Sequence, residues 1–201
     1  MSDASVPAPQ VLMQQAYEKL QDGRFVEAVD TFSAALAMGP QDAKALRGRG
    51  LAYLEVKRWS LAAADFDAAR QLAPEDSENW VDFGVSLAMD NQVYPAIQVF
   101  DTLLSRQPEC ARGHLELGLL HLRLGAILKG REQLQKALAC RPTLAQRRLI
   151  DSVLREQEKL DRKRYYRPDF EALHRQQGGR PAIGWTGRVR GLLRRWRGGA
   201  A

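Results

Sequence analysis

The sequence predicts an all-α fold, an α-solenoid of about four helix–turn–helix repeats followed by a C-terminal capping helix. Proline recurs every 34 residues, at Pro40, Pro74, Pro108 and Pro142. A column of small residues and a column of large apolar residues keep the same spacing, namely Ala28, Ala62, Ala96 and Gly130, and Phe32, Phe66, Phe100 and Leu134. A fixed period carried by three columns at once is typical of a repeat protein.

Each period divides into two helical runs and a stop. In the third period, Trp80 and Leu87 lie on one face at helical spacing, and a polar break follows at residues 90–92. The second run places Phe100 on its apolar face and ends before Pro108, because proline cannot continue a helix. The small column allows the two helices to approach closely, and the large column fills the space beside it.

The third period carries a motif that reads Trp80, Phe83, Gly84, Leu87, Ala96, Phe100 and Pro108. This motif resembles the tetratricopeptide repeat, a 34-residue hairpin with W-x2-L-G-x2-Y, then A-x3-F, then P. The first copy is the weakest, as expected of a terminal repeat that faces solvent on one side. The resemblance covers residues 9–142 and implies four repeats, at 9–42, 43–76, 77–110 and 111–144.

The segments outside the repeats have different compositions. We expect residues 1–8 to form a disordered leader and residues 143–167 to form a helix that caps the last repeat, since a stack needs a polar outer end. The predicted apolar stripe of this helix is Leu144, Leu149, Ile150, Val153, Leu154 and Leu160. Residues 168–201 form a basic tail rich in glycine and arginine.

Composition and charge limit the classes of function. Hydrophobic residues make up 45% and charged residues 27% of the chain, which is typical of a globular protein. The N-terminus lacks a signal-peptide pattern and no apolar run is long enough to span a bilayer, so we expect a cytoplasmic location. Cys110 and Cys140 have no CxxC partner and are expected to be free thiols.

The net charge of +6 is distributed unevenly. Residues 1–140 contain 14 Lys and Arg against 18 Asp and Glu, whereas residues 141–201 contain 16 against 6. This difference indicates either two separate roles or a tail that folds back on the repeats.

Catalysis is not expected, because no nucleophile–base pair, phosphate loop or paired carboxylates stand out. His114 and His121 share one helix face, but their backbones are about 10.5 Å apart, too far for one metal ion. The resemblance also places them where the family has Trp and Tyr, so we expect them to pack in the core. The sequence predicts no metal site and no cofactor.

The resemblance implies that the first helix of each repeat lines a concave groove that holds a peptide or helix. The positions that carry over are Met13, Tyr17, Leu20, Leu51, Leu54, Val81, Val85, Met89, Leu115, Leu119 and Leu122. Because this lining is strongly apolar, we expect an apolar or amphipathic ligand. The expected function is a non-catalytic scaffold, adaptor or assembly chaperone. The alternative is that some of these residues are core or are covered by the protein's own tail.

One subset of the family grips the acidic C-terminal tails of heat-shock chaperones with Lys, Asn and Arg side chains. The matching positions here are Met13, Tyr17, Gly48, Glu78 and Asp82. None carries the required residue and two are acidic. The departure disfavours a co-chaperone that grips carboxylates.

The tail contains a second candidate site. Trp185, Leu192 and Trp196 share one helical face, and arginines occupy the other positions. The candidate anchor residues are Trp185, Arg188, Arg190, Leu192, Leu193, Arg194, Arg195, Trp196 and Arg197. Tryptophan with arginine is typical of an interfacial anchor, so the alternative function is a peripheral membrane tether, with an anionic membrane or an acidic partner. A free basic tail and a tail docked on the repeats remain open, and nucleic acid is not expected because no recognised binding fold accompanies the arginines.

Overall fold

The computed structural model describes residues 8–39 and 42–165, and these residues contain only helices joined by short turns. The prediction of an all-α repeat fold is therefore confirmed for this part of the chain. The helices are α1 (Pro9–Gln21), α2 (Phe25–Met38), α3 (Ala43–Glu55), α4 (Trp59–Leu72), α5 (Ser77–Met89), α6 (Val93–Arg106), α7 (Ala111–Arg123), α8 (Ile127–Ala139) and α9 (Leu144–Tyr165).

The turn inside each of the four helix pairs contains one residue with left-handed backbone. The φ angles are +76° at Gly23, +60° at Lys57, +64° at Asn91 and +78° at Gly125. These positions keep the 34-residue spacing, so one turn geometry recurs along the array. Glycine adopts this backbone without a steric penalty, whereas Lys57 and Asn91 adopt it at a cost.

The recurring prolines lie where helix pairs end. Pro74, Pro108 and Pro142 follow the last residues of α4, α6 and α8. A helical backbone conformation is disfavoured for the residue that precedes a proline, so each of these prolines marks the end of a helix pair. Pro40, the first of the series, lies outside the described residues.

A glycine of the first helix faces the large apolar residue of the second helix in the second and third pairs. Phe100 is 1% exposed, and a Cβ atom added to Gly84 would lie 2.7 Å from its ring. A Cβ atom at Gly50 would lie 2.9 Å from Phe66. The glycine of the first helix therefore leaves the space that the phenylalanine of the second helix fills.

The cores follow the array as separate clusters. The first surrounds Phe32 and is built largely of alanines from α1, α2 and α3. The second contains Trp80, Phe100 and Leu117 from α5, α6 and α7. The third joins Leu134 of α8 to the beginning of α9. The first two clusters draw on more than one repeat, and the third joins the last repeat to α9. This is expected of units that bury their apolar faces against neighbours.

His114 occupies the position that Trp80 has in the preceding repeat, and it makes the same contact. The Trp80 Nε1 donates to the carbonyl of Pro74 at 2.8 Å, and the His114 Nε2 donates to the carbonyl of Pro108 at 2.9 Å. His114 is 7% exposed, and its Nδ1 lies 2.8 Å from the side-chain amide of Gln133. The ring is therefore packed, as the sequence indicated.

The chain divides into two compact units, Met1–Arg155 and Glu156–Ala201. Within the first unit, Ile150, Val153 and Leu154 of α9 pack against Leu134 and Ala137 of α8. The predicted stripe on α9 is corrected, because Leu144, Leu149 and Leu160 are exposed. Of the second unit, the structure describes the end of α9, as far as Tyr165. None of the helices in the described ranges combines the length and apolar character that crossing a bilayer requires.

Candidate functional site

The first helices of the repeats, α1, α3, α5 and α7, are tied to one another by direct contacts. The Tyr17 hydroxyl of α1 donates to the carbonyl of Lys44 in α3 at 2.7 Å. The Arg123 guanidinium of α7 donates to the carbonyl of Ala88 in α5 at 2.8 Å. We call the exposed and half-buried side chains of these four helices the first-helix face. It contains the residues that the resemblance assigned to a groove, except Val81 and Leu115.

The accessible apolar part of the first-helix face is central. Leu51 and Leu54 of α3 and Val85 of α5 are half-buried, and Met89 of α5 is 47% exposed. Val85 also packs against the second core cluster. These four side chains, which we call the apolar strip, can contact a ligand without any rearrangement of the core.

Val81 and Leu115 do not line this face, which corrects their expected place. Val81 is 0% and Leu115 is 3% exposed, and each is part of a core cluster. They lie one turn before Val85 and Leu119 in their helices, but their side chains belong to the core and not to the surface. A ligand could touch them only if the array opened.

The remaining predicted positions serve packing as well as the face. Met13, Tyr17 and Leu20 are half-buried against the cluster around Phe32. The Tyr17 ring meets that of Phe32 edge-on, with centroids 5.0 Å apart. Burial raises the pKa of the Tyr17 hydroxyl, with Asp42 adding to the effect.

The C-terminal end of the face shows the same double role. Leu119 and Leu122 of α7 are half-buried against the third cluster, beside Leu134. A Cβ atom at Gly130 would lie 2.6 Å from Leu122, so that leucine fills the gap above the glycine. Less of α7 than expected is available to a ligand.

A network of charged residues that the repeat motif does not predict lies beside the apolar strip. We call Arg47, Glu78, Asp82, Arg112 and Glu116 the charge cluster. The Arg47 Nε donates to the Asp82 carboxylate at 2.9 Å, and its Nη2 donates to Glu78 at 3.1 Å. The Arg112 Nη2 donates to the other oxygen of Asp82 at 2.6 Å, and its Nη1 donates to Glu78. Two carboxylates of α5 are therefore held from both neighbouring repeats.

Burial makes Asp82 the centre of this cluster. Its side chain is 1% exposed, whereas those of Arg47 and Arg112 are 31% and 27% exposed. A buried carboxylate is stable only when it is paired and hydrogen-bonded, and both oxygens of Asp82 receive charge-assisted bonds. Burial lowers the pKa of the Arg112 guanidinium, but the carboxylates of Asp82 and Glu78 outweigh this and raise it overall.

Glu116 is the exception in the cluster. Among the residues that the structure describes, no donor forms a hydrogen bond or an ion pair with its carboxylate. Burial raises the pKa of the Glu116 carboxyl; Arg112 opposes the shift, and Asp82 reinforces it. Half-buried Glu116 therefore has capacity to accept a hydrogen bond that the described protein leaves unused.

A sequence signal for the charge cluster existed in the spacing of opposite charges. Arg47 and Asp82 are 35 residues apart, and Arg112 and Asp82 are 30 apart. In an array with a 34-residue period, such separations place residues on neighbouring first helices. A motif confined to one repeat does not show these pairs, because each pair crosses a repeat boundary.

A shallow cavity of about 420 Å³ between α6 and α8 places Cys140 near His114. The two side chains do not form a nucleophile–base pair, because both donate to the same acceptor, the carbonyl of Pro108. Burial raises the pKa of the Cys140 thiol, and the nearby Glu109 adds to the shift. A thiol held protonated is a poor nucleophile.

Three further expectations concern His121, metal binding and the tail. His121 is half-buried on α7, where burial and the nearby Lys129 lower its pKa. Within residues 8–39 and 42–165, no group of three His, Cys, Asp or Glu side chains is arranged to hold a metal ion. The anchor residues between Trp185 and Arg197 lie outside the described residues.

Comparisons with known proteins agree with this architecture. A family model described as tetratricopeptide repeat matches residues 13–77 and 96–145. No curated protein matches the chain. Solved structures are similar in fold. The thermophilic protein TTC0263 of Thermus thermophilus has a TM-score of 0.65 and 21% identity, covering 77% of this chain and 85% of that one.

Two further solved structures of similar fold are described as having a peptide-binding site or a bound peptide. YrrB, described as having an unusual peptide-binding site, has a TM-score of 0.60 and 22% identity, covering 69% of this chain and 72% of that one. The second repeat domain of human RPAP3, solved with the HSP70 peptide SGPTIEEVD, has a TM-score of 0.52 and 20% identity, covering 56% of this chain and 98% of that one.

Proposed function

Since the chain belongs to the tetratricopeptide repeat family, we propose that it is a non-catalytic interaction scaffold, an adaptor or assembly chaperone, that binds a peptide or helix on the first-helix face. The observation that carries the proposal is the apolar strip of Leu51, Leu54, Val85 and Met89. It is accessible and stands on rigid helices tied together by contacts between repeats. Such a surface suits an apolar or amphipathic segment.

The solved relatives lend support to binding of this kind. YrrB is described as peptide-binding, and the human RPAP3 domain was solved with a chaperone peptide. Both share the fold with this chain, which makes a polypeptide ligand the simplest partner class. A cytoplasmic location is part of the proposal.

Substitution within the apolar strip tests the proposal. We expect Leu51→Glu and Met89→Glu each to weaken binding of peptides selected on the wild-type protein from a random phage library. A charge placed in an apolar contact should cost about 2 kcal/mol, or roughly thirtyfold in affinity. Fluorescence anisotropy with the selected peptides measures the change. Met89 is 47% exposed, so its replacement should leave the fold intact.

The matched control is Tyr94→Glu, a substitution on α6, the second helix of the third repeat, at a position that is 83% exposed. The affinity of this variant for the selected peptides should equal that of the wild type. If the strip variants and the control bind equally well, or if selection recovers no peptide above background, the first-helix face is not the binding surface.

Acidic chaperone tails provide a second test. We expect the peptide SGPTIEEVD, which was solved with the human RPAP3 domain, to bind this protein with a Kd weaker than about 1 mM. The reason is that Arg47 and Arg112 are already held by Glu78 and Asp82, so a ligand carboxylate would have to displace internal ones. Isothermal titration calorimetry measures the affinity, and binding at micromolar concentration would refute the expectation.

The membrane-tether alternative depends on the tail, which lies outside the described residues. It remains a prediction from the sequence.

A further inference from the structure

We propose that Glu116 determines specificity on the first-helix face by pairing with a lysine or arginine of the bound segment, so that the partner is an amphipathic peptide with a basic residue beside its apolar contacts. The inference deepens the proposed function and rests on it. It names the chemistry of the partner, which the apolar strip alone leaves open.

The charge balance of the cluster leaves one carboxylate in surplus. Arg47 and Arg112 face three carboxylates, Glu78, Asp82 and Glu116, which gives a formal charge of −1. The two arginines are engaged by Glu78 and Asp82 at hydrogen-bonding distances. The surplus carboxylate is therefore Glu116, and the local field favours a cation over an anion.

The environment of Glu116 is already partly desolvated. The raised pKa of its carboxyl reflects this burial, and no described residue donates to it. A carboxylate in this condition gains more from an arriving cation than one that is fully hydrated, because part of the cost of removing water has been met by folding.

Glu116 also lies close to the apolar strip. On α7, Glu116 is one turn from Arg112 and three residues before Leu119, so the three share a side of the helix. On the neighbouring α5, Asp82 and Val85 have the same relation. The charge cluster therefore borders the apolar residues along both helices. One short segment can contact Val85 with an apolar side chain and reach Glu116 with a basic one.

Other classes of ligand fit the charge cluster less well. An acidic peptide terminus would be repelled by its surplus negative charge. A metal ion would need three ligands, and the described part of the chain offers no such group of His, Cys, Asp or Glu. A wholly apolar segment would leave Glu116 buried beneath it without a partner, which is strongly unfavourable.

The test selects peptides in parallel on the wild type, on Glu116→Gln and on Glu109→Gln, each as the full chain and each from the same random phage library. Glutamine keeps the shape of the side chain and removes its charge. Glu109 is exposed before α7 and provides the matched control. We expect wild-type and Glu109→Gln pools to be enriched in peptides that combine apolar residues with lysine or arginine, and the Glu116→Gln pool to keep only the apolar enrichment.

A double-substitution cycle then measures the pair directly. The best wild-type peptide is compared with its Lys→Gln or Arg→Gln version by anisotropy on both proteins. We expect the basic residue to improve affinity for the wild type about tenfold and to have little effect on Glu116→Gln. Equal discrimination by the two proteins would overturn the assignment of Glu116.

The outcomes separate this inference from the function on which it rests. Pools that are apolar, sensitive to Leu51→Glu and not enriched in basic residues would overturn the inference and leave the proposed function standing. Pools insensitive to Leu51→Glu, or no enrichment on any protein, would overturn both. Circular dichroism of each variant confirms that the helical fold is retained before the pools are compared.

Discussion

Replacement of Phe100 by alanine is expected to lower the free energy of unfolding by about 3–5 kcal/mol. Phe100 is 1% exposed and belongs to the cluster that joins α5, α6 and α7. Its ring fills the space left by Gly84, where an added Cβ would come within 2.7 Å. Truncation loses the transfer free energy of the ring and leaves a cavity that rigid helices cannot close.

Urea denaturation followed by circular dichroism measures this effect, and Tyr94→Ala on the same helix is the control. Tyr94 is 83% exposed, so its replacement should change stability by less than about 0.5 kcal/mol. If the two variants had similar urea midpoints, the packing of Phe100 against Gly84 would not be a source of stability.

Removal of the Asp82 carboxylate, as Asp82→Ala, is expected to cost about 2–3 kcal/mol, somewhat less than the roughly 3–5 kcal/mol typical of breaking a fully buried ion pair by removing one partner. The cost is smaller here because Arg47 and Arg112 are 31% and 27% exposed and can regain water, and because Glu78 remains beside them. Thermal and urea unfolding measure the change.

The control for this second substitution is Asp101→Ala, which removes an exposed carboxylate of α6. Its free energy of unfolding should stay within about 0.5 kcal/mol of that of the wild type. A cost for Asp82→Ala no greater than that of the control would mean that the bonds to the two arginines contribute nothing to stability.

The architecture was predictable because the residues that determine it recur at a fixed spacing. Each hairpin packs through its own glycine, alanine, phenylalanine and proline, and these recur every 34 residues. Packing within one hairpin depends only on residues that are close in sequence. Packing of His114 was also predictable, since it occupies the slot that Trp80 has one repeat earlier. Its hydrogen bond to a proline carbonyl matches that of the tryptophan.

The composition of the site was less predictable, because it depends on contacts between repeats. Val81 and Val85 look alike in the sequence of a single helix, yet Val81 is buried in a cluster to which four helices contribute, while Val85 remains half-exposed at the surface. The charge cluster was not predictable for the same reason. Its pairs join residues 30 to 35 positions apart, and no motif within one repeat contains both partners.

The ion pairs on both sides of α5 also bear on how the array opens. Repeat arrays can fray from their ends, since each unit contacts only its neighbours. Fraying from either end would have to separate Asp82 from a guanidinium before it could release the third repeat. Amide hydrogens of α5 should therefore exchange with solvent more slowly than those of the terminal hairpins, and the middle of the array should persist as a cooperative block.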